Sequence, residues 1–137
     1  MTNGDPQAEL LTTVLQGVDT AISVIDDIEN GLLDCSKQLR IDPSFETLTT
    51  LSIGISNLGD MVALMQEVQK GCVHLQGNPV PAESFTAFAK SIDLFREAQA
   101  SMERQDWISL ADLIQYEISP ILKEAKQEFI VVRDGLT

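Results

Sequence analysis

The chain is short of basic residues. Its 137 residues include nine lysines and arginines against 21 aspartates and glutamates, which gives a net charge of −12. None of the nine precedes Lys37, so the first helix-length stretch carries only negative charge. A field of this sign repels nucleic-acid phosphates and anionic lipids and favours encounters with basic partners. We therefore expect the protein to bind neither nucleic acid nor membranes.

Residues that carry catalytic or metal-binding chemistry are also scarce. His74 is the single histidine, which excludes a Glu-x-x-His di-iron centre. Cys72 with His74 lacks a recognised zinc spacing, and phosphate loops and dinucleotide fingerprints are missing. The densest acidic cluster lies on a predicted helix. Calcium sites normally use a loop to bring several oxygen ligands together around the ion, and a helix does not do so. That cluster is Asp26, Asp27, Glu29, Asn30 and Asp34. We expect a protein that is not an enzyme, with no catalytic residue, cofactor or metal ion.

The two cysteines, Cys35 and Cys72, lie near the ends of the first two predicted helices. If those helices run antiparallel, the thiols are ~40 Å apart at 1.5 Å per residue. A disulfide requires Cα atoms within ~7 Å. Both cysteines occupy apolar stripes, so the sequence predicts buried and unpaired thiols.

Long uncharged segments are missing as well. The longest uncharged run, Thr47 to Gly59, has 13 residues and is interrupted by Thr, Ser and Asn. It is too short and too polar to span a bilayer. The first residues lack the basic and apolar regions of a secretion signal. We expect a cytoplasmic protein.

Apolar residues make up 44% of the chain and recur at helical spacing in four segments. The clearest stripe has steps of three and four: Trp107, Leu110, Ala111, Ile114, Ile118, Ile121, Leu122, Ala125, Phe129 and Val132. This spacing is typical of one face of an α-helix. Asp5-Pro6, Asp42-Pro43 and Asp106 are helix-start signals, and Pro79-Val80-Pro81 interrupts the pattern. We predict one all-α domain over 1–137, an antiparallel up-and-down four-helix bundle with helices at about 6–40, 43–76, 82–104 and 107–134.

Two features of the fourth stripe point to a surface. Pro120 lies inside the stripe and removes one backbone hydrogen bond, so a kink is predicted there. Leu113 and Tyr116 lie off the main apolar face. We interpret Leu113, Tyr116 and Pro120 as a partner-contact patch. The second helix also carries apolar residues off its main face, which indicates a central helix or a partner surface. These are Ile53, Met61, Leu64 and Val68.

The segment from Asp106 to Leu122 resembles a pattern in uncharacterised bacterial helical proteins. An acidic-aromatic start leads into Leu110-Ala111-Asp112-Leu113, then Tyr116-Glu117, then Pro120-Ile121-Leu122. The resemblance covers a short part of the chain and implies a bacterial, cytosolic, helical protein. It implies no activity.

These observations favour a non-catalytic protein-protein interaction module, either a homodimer or the binder of another protein. A specific version is an acidic helical chaperone of the flagellar or secretion type. The chain resembles that class in its size, its low pI and its predicted helix content. The alternative is a bundle that binds a small ligand or a metal between its helices. A cavity lined by Glu117, Gln69 or Gln99 would favour that alternative.

Overall fold

The structure, a computed structural model, describes residues 5–77 and 79–137. Helix α1 runs over Pro6–Ile41 and α2 over Phe45–Val73. A short 3-10 turn, Ala82–Phe85, leads into α3, Thr86–Glu103. The last helix, α4, has α-helical Trp107–Leu113, a π-helical turn Ile114–Ile118 and α-helical Ser119–Leu136. The described residues contain no strand, and the predicted all-α four-helix architecture is confirmed.

The boundaries of α2 differ from the predicted ones. The helix begins at Phe45 because the Ser44 hydroxyl accepts the Thr47 N–H at 3.2 Å. Asp42, the predicted start signal, instead terminates α1, and its N–H donates to the Gln38 carbonyl. α2 ends at Val73, before Gly77, whose positive φ of 80° continues the turn.

The start of α4 follows the sequence prediction. Asp106 accepts the Ser109 N–H at 3.2 Å and so satisfies one free donor of the first turn. Hydrogen bonds from the side chain and backbone of Ser109 hold the pKa of Asp106 below its usual value. The hydrogen bonds at the start of α4 therefore favour the ionised form of Asp106 over the protonated form.

Contacts at both ends of the helices show which neighbours run antiparallel. Gln7, at the start of α1, donates to the His74 carbonyl and accepts the Gln76 N–H beyond the end of α2. Arg40, at the end of α1, pairs with Asp112 near the start of α4 at 2.6 Å. α1 is thus antiparallel to both helices.

Helix α3 is antiparallel to α4. The Glu128 carboxylate, late in α4, accepts the N–H groups of Ala87 and Phe88 at 2.8 and 3.0 Å. It supplies the anionic cap that the first turn of α3 lacks from its own sequence. Phe88 also packs edge-on against Phe129, with ring centroids 5.8 Å apart. These contacts make a core in which aliphatic side chains surround a small aromatic cluster.

Both cysteines are buried and free, as their stripes predicted. Burial raises the pKa of the Cys72 thiol, and burial followed by the nearby Asp34 charge raises that of Cys35. Because thiolates react with disulfide reagents, we expect slow labelling of both thiols by Ellman's reagent in the native protein and rapid labelling in concentrated urea. A thiol that reacts rapidly without urea would contradict its burial.

Helices α1 and α2 are each long and apolar enough to cross a bilayer, judged by length and composition alone. Core helices of a bundle pass the same test. In the structure, both helices contribute apolar stripes to the shared core.

Candidate partner-binding surfaces

A π-helical turn, Ile114–Ile118, lies directly before the position near Pro120 where the sequence predicts a kink. The Ser119 N–H donates to the Ile114 carbonyl, five residues back, where an α-helix would have four. Pro120 follows at once and has no N–H to donate. Such widened turns occur mostly as single insertions in α-helices, and often at functional sites.

The predicted patch of Leu113, Tyr116 and Pro120 is only partly a surface. Leu113 is 7% exposed and belongs to the core, so its expected position off the buried face is corrected. It is buried because α4 contacts both α1 and α3, which widens the covered arc of the helix. Tyr116 is 65% exposed and Pro120 is exposed.

Arg40 of α1 gives this region a polar character. Its guanidinium lies 6.0 Å from the centre of the Tyr116 ring and donates to Asp112 and Gln115 at 2.6 and 3.0 Å. The Tyr116 ring thus lies near an arginine that already has carboxylate and amide partners. These contacts place a guanidinium, a carboxylate and an amide beside Tyr116, so a partner that binds this ring also meets polar groups.

A buried carboxylate lies where α4 leaves the π-helical turn. Glu29 of α1 accepts the Ser119 hydroxyl at 2.5 Å, and the Lys123 ammonium lies 3.4 Å from the same oxygen. The side chains of Glu29 and Ser119 are buried, whereas Lys123 is largely exposed. The arrangement satisfies a buried charge and ties α1 to α4 at one register.

A mainly apolar concavity lies elsewhere, between α1 and α2. We call it the α1/α2 groove; its apolar part has a volume of about 580 Å³. Ile53, 58% exposed, lies in it with the half-buried Leu64. A Cβ placed on Gly31 would have no atom within 4 Å, so the groove is open at that point. The remaining lining residues are Thr20, Val24, Asp27, Ile28, Thr50, Gly54, Asn57, Asp60 and Met61.

A polar part adjoins the apolar part and shares Gly31 and Thr50 with it. It has a volume of about 400 Å³ and includes the carboxylates of Asp34 and Glu46. Its other lining residues are Cys35, Gln38, Ser44 and Thr47. Together the two parts contain four carboxylates and, among their described lining residues, no lysine or arginine.

The polar residues proposed for a ligand site lie at the surface. Glu117 and Gln99 are exposed, Gln69 is half-buried, and each lines a different shallow groove. His74 is exposed beyond the end of α2. Across residues 5–77 and 79–137, no group of three or more His, Cys, Asp or Glu side chains is arranged to hold a metal ion.

Sequence reasoning found part of the α1/α2 groove. It identified the off-face residues of helix 2, of which Met61 and Val68 are buried, Leu64 is half-buried and Ile53 is exposed. It did not identify the contribution of α1, whose Val24 and Ile28 border the same groove. Gly31 was a sequence signal for this contribution, because a glycine in the middle of the long apolar stripe of α1 leaves an open space beside the helix.

Comparison with known protein families assigns the chain to one family. Residues 9–128 match the model of a family described as a domain of unknown function (DUF8042). The chain belongs to this family. The DUF8042 match includes all residues of the α1/α2 groove and the π-helical turn, so both lie within the shared domain. No curated protein and no solved structure matches the chain.

The expectation of an uncharacterised family is therefore confirmed at the level of DUF8042. The bacterial origin implied by the segment Asp106 to Leu122 stays a prediction.

Proposed function

We propose that this DUF8042 protein is a non-catalytic protein-binding module whose α1/α2 groove accepts a helix of a partner protein. The observation that carries the proposal is Ile53, a large aliphatic side chain 58% exposed within a groove that is otherwise largely apolar. A partner that covers the 58% of Ile53 still exposed gains about 1–2 kcal/mol, the corresponding share of the value for full burial. The chemistry of the groove, apolar with a carboxylate rim, suits recognition more than reaction.

The dimensions of the groove support a helical occupant. Thr20 and Leu64 lie toward one end of the groove, and Gln38 lies at the other end, 18 positions along α1 from Thr20. At 1.5 Å per residue this stretch of α1 is ~27 Å long. An antiparallel helix pair offers a continuous channel of this length to the apolar face of a third helix.

Charge favours a different protein over a second copy of this chain. A groove-to-groove dimer would place Asp27 and Asp60 of one copy close to the same carboxylates of the other. Each copy also carries a net charge of −12. Like charges brought together in this way oppose association. The proposal includes the cytoplasmic, bacterial setting that the sequence predicts.

We expect selection from a display library of helical peptides, about 20 residues long, to yield sequences with apolar residues at i, i+3 or i+4, and i+7. Their affinity, measured by fluorescence anisotropy, should fall at least tenfold in Ile53→Glu. Val131→Glu is the matched control because Val131 is 67% exposed outside the groove. Circular dichroism melts of both variants should resemble that of the wild type.

A second variant, Gly31→Gln, blocks the groove without introducing the charge that Ile53→Glu introduces. Gly31→Gln adds a side chain where nothing lies within 4 Å, and Gly135→Gln does the same outside the groove. Both changes replace a helical glycine and should leave the fold at least as stable. Only Gly31→Gln should weaken the peptides. Equal binding by wild type, Ile53→Glu and Gly31→Gln, or a dimer that Ile53→Glu dissociates in sedimentation, would overturn the proposal.

A further inference from the structure

Five of the six carboxylates of α1 separate into two sets; the sixth is Glu9, in its first turn. On the side that faces α4, Asp19 pairs with Arg133, Asp26 with Lys126 and Glu29 with Lys123. On the side that faces α2, Asp27 and Asp34 border the groove. Within residues 5–77 and 79–137 neither of these two forms an ion pair. The bundle thus compensates the acidic charge on one side of α1 and leaves it free on the other.

Aliphatic side chains are distributed unevenly along the groove, whereas each part holds two free carboxylates, Asp27 and Asp60 in the apolar part and Asp34 and Glu46 in the polar part. Asp34 and Glu46 lie in its polar part, whose lining includes one apolar side chain, that of Cys35. Ile53 and Leu64 lie in the apolar part. An occupant of the whole groove therefore meets aliphatic side chains bordered by two carboxylates along one half, and two carboxylates without aliphatic neighbours in the lining along the other.

We propose that the partner helix is cationic and asymmetric, with an apolar seam over Ile53 and Leu64 and lysine or arginine side chains at the end that lies over Asp34 and Glu46. This inference rests on the proposed function. Charge complementarity carries it: two unpaired carboxylates in a concave site concentrate negative potential, which an occupant of opposite charge relieves. The −12 net charge of the chain adds a long-range attraction of the same sign.

The test uses three synthetic peptides of about 18 residues, the length of helix that ~27 Å accommodates. All share one apolar seam, and their other half carries lysine, glutamine or glutamate at two positions. We expect the lysine peptide to bind the wild type about tenfold more tightly than the glutamine peptide, as two exposed ion pairs would give. The glutamate peptide should bind most weakly. The advantage of lysine should shrink as salt increases.

Variants separate local pairing from the overall field. Asp34→Asn with Glu46→Gln should reduce the advantage of the lysine peptide to about twofold, the remainder of a screened long-range field. Glu83→Gln with Glu124→Gln removes the same charge from exposed positions outside the groove and should leave the advantage intact.

Two results would overturn the inference: equal affinity of the lysine and glutamine peptides, or an equal loss in both double variants. In either case, binding that still depends on Ile53 would leave the proposed function standing. Binding insensitive to Ile53→Glu would overturn the proposed function itself.

Discussion

Phe129→Ala is expected to lower the free energy of unfolding by about 3–5 kcal/mol, the cost of removing a buried aromatic side chain and leaving a cavity. Phe129 is 0% exposed and packs edge-on against Phe88, which in turn meets Phe85 at a ring-centroid distance of 6.4 Å. A domain of this size has about 5–15 kcal/mol in total. Urea unfolding should show the loss directly, with a melting temperature lower by roughly 10–20 °C.

Phe45→Ala is the matched control. Phe45 lies in the first turn of α2 and is 87% exposed, so its ring has little to lose on truncation. We expect a change within about 0.5 kcal/mol, as for other surface positions. A loss at Phe45 equal to that at Phe129 would contradict the assignment of the aromatic cluster to the core.

The contrast between these two phenylalanines shows what periodicity can predict. Phe129 belongs to the stripe that begins at Trp107, and its burial follows from that pattern. Leu110 and Ile114, two other members, are also fully buried. Phe45 precedes the stripe of α2 and is exposed. Helix number and the buried face of each helix were predictable because 3.6-residue spacing records them directly.

The π-helical turn was not predictable as such. Its sequence mark is a step of five between the buried pairs Leu113-Ile114 and Ile118-Ser119. The apolar members alone, Ile114 and Ile118, are separated by four and read as ordinary helix. Ser119 completes the second pair, yet a serine is not read as a core residue. Its burial depends on Glu29, 90 positions away, and such a contact leaves no local pattern.

The candidate site was predictable in part for a similar reason. Angular position on one helix shows that a residue is off the main face, but not which neighbour covers it. Leu113 was expected at the surface and is buried because α4 has neighbours on two sides. Ile53 occupies a comparable off-face position on α2 and stays exposed. This difference in exposure between Leu113 and Ile53 arises from how the helices pack. Sequence spacing could therefore identify both positions as candidate surfaces but could not show which of them is exposed.

Ser119→Ala is expected to lower the free energy of unfolding by about 1.5–3 kcal/mol, the range for hydrogen bonds to charged groups. The Ser119 hydroxyl lies 2.5 Å from the Glu29 carboxylate, and without it the remaining partner is Lys123 at 3.4 Å. Lys123 is largely exposed, so its ion pair is screened and compensates only weakly. Ser91→Ala is the control, since the buried Ser91 hydroxyl donates only to a carbonyl of its own helix. That change should cost less.

A double-mutant cycle separates the hydrogen bond from simple packing. Glu29→Leu alone removes the acceptor and leaves the Ser119 hydroxyl buried and unpaired, which is also destabilising. Combining Glu29→Leu with Ser119→Ala removes both partners, so the second substitution should then cost almost nothing. A coupling free energy of about 1 kcal/mol or more between the two sites would follow for groups in direct contact. Additive losses would mean that the hydroxyl and the carboxylate act independently, and that the register of α4 after its π-helical turn is held by apolar packing alone.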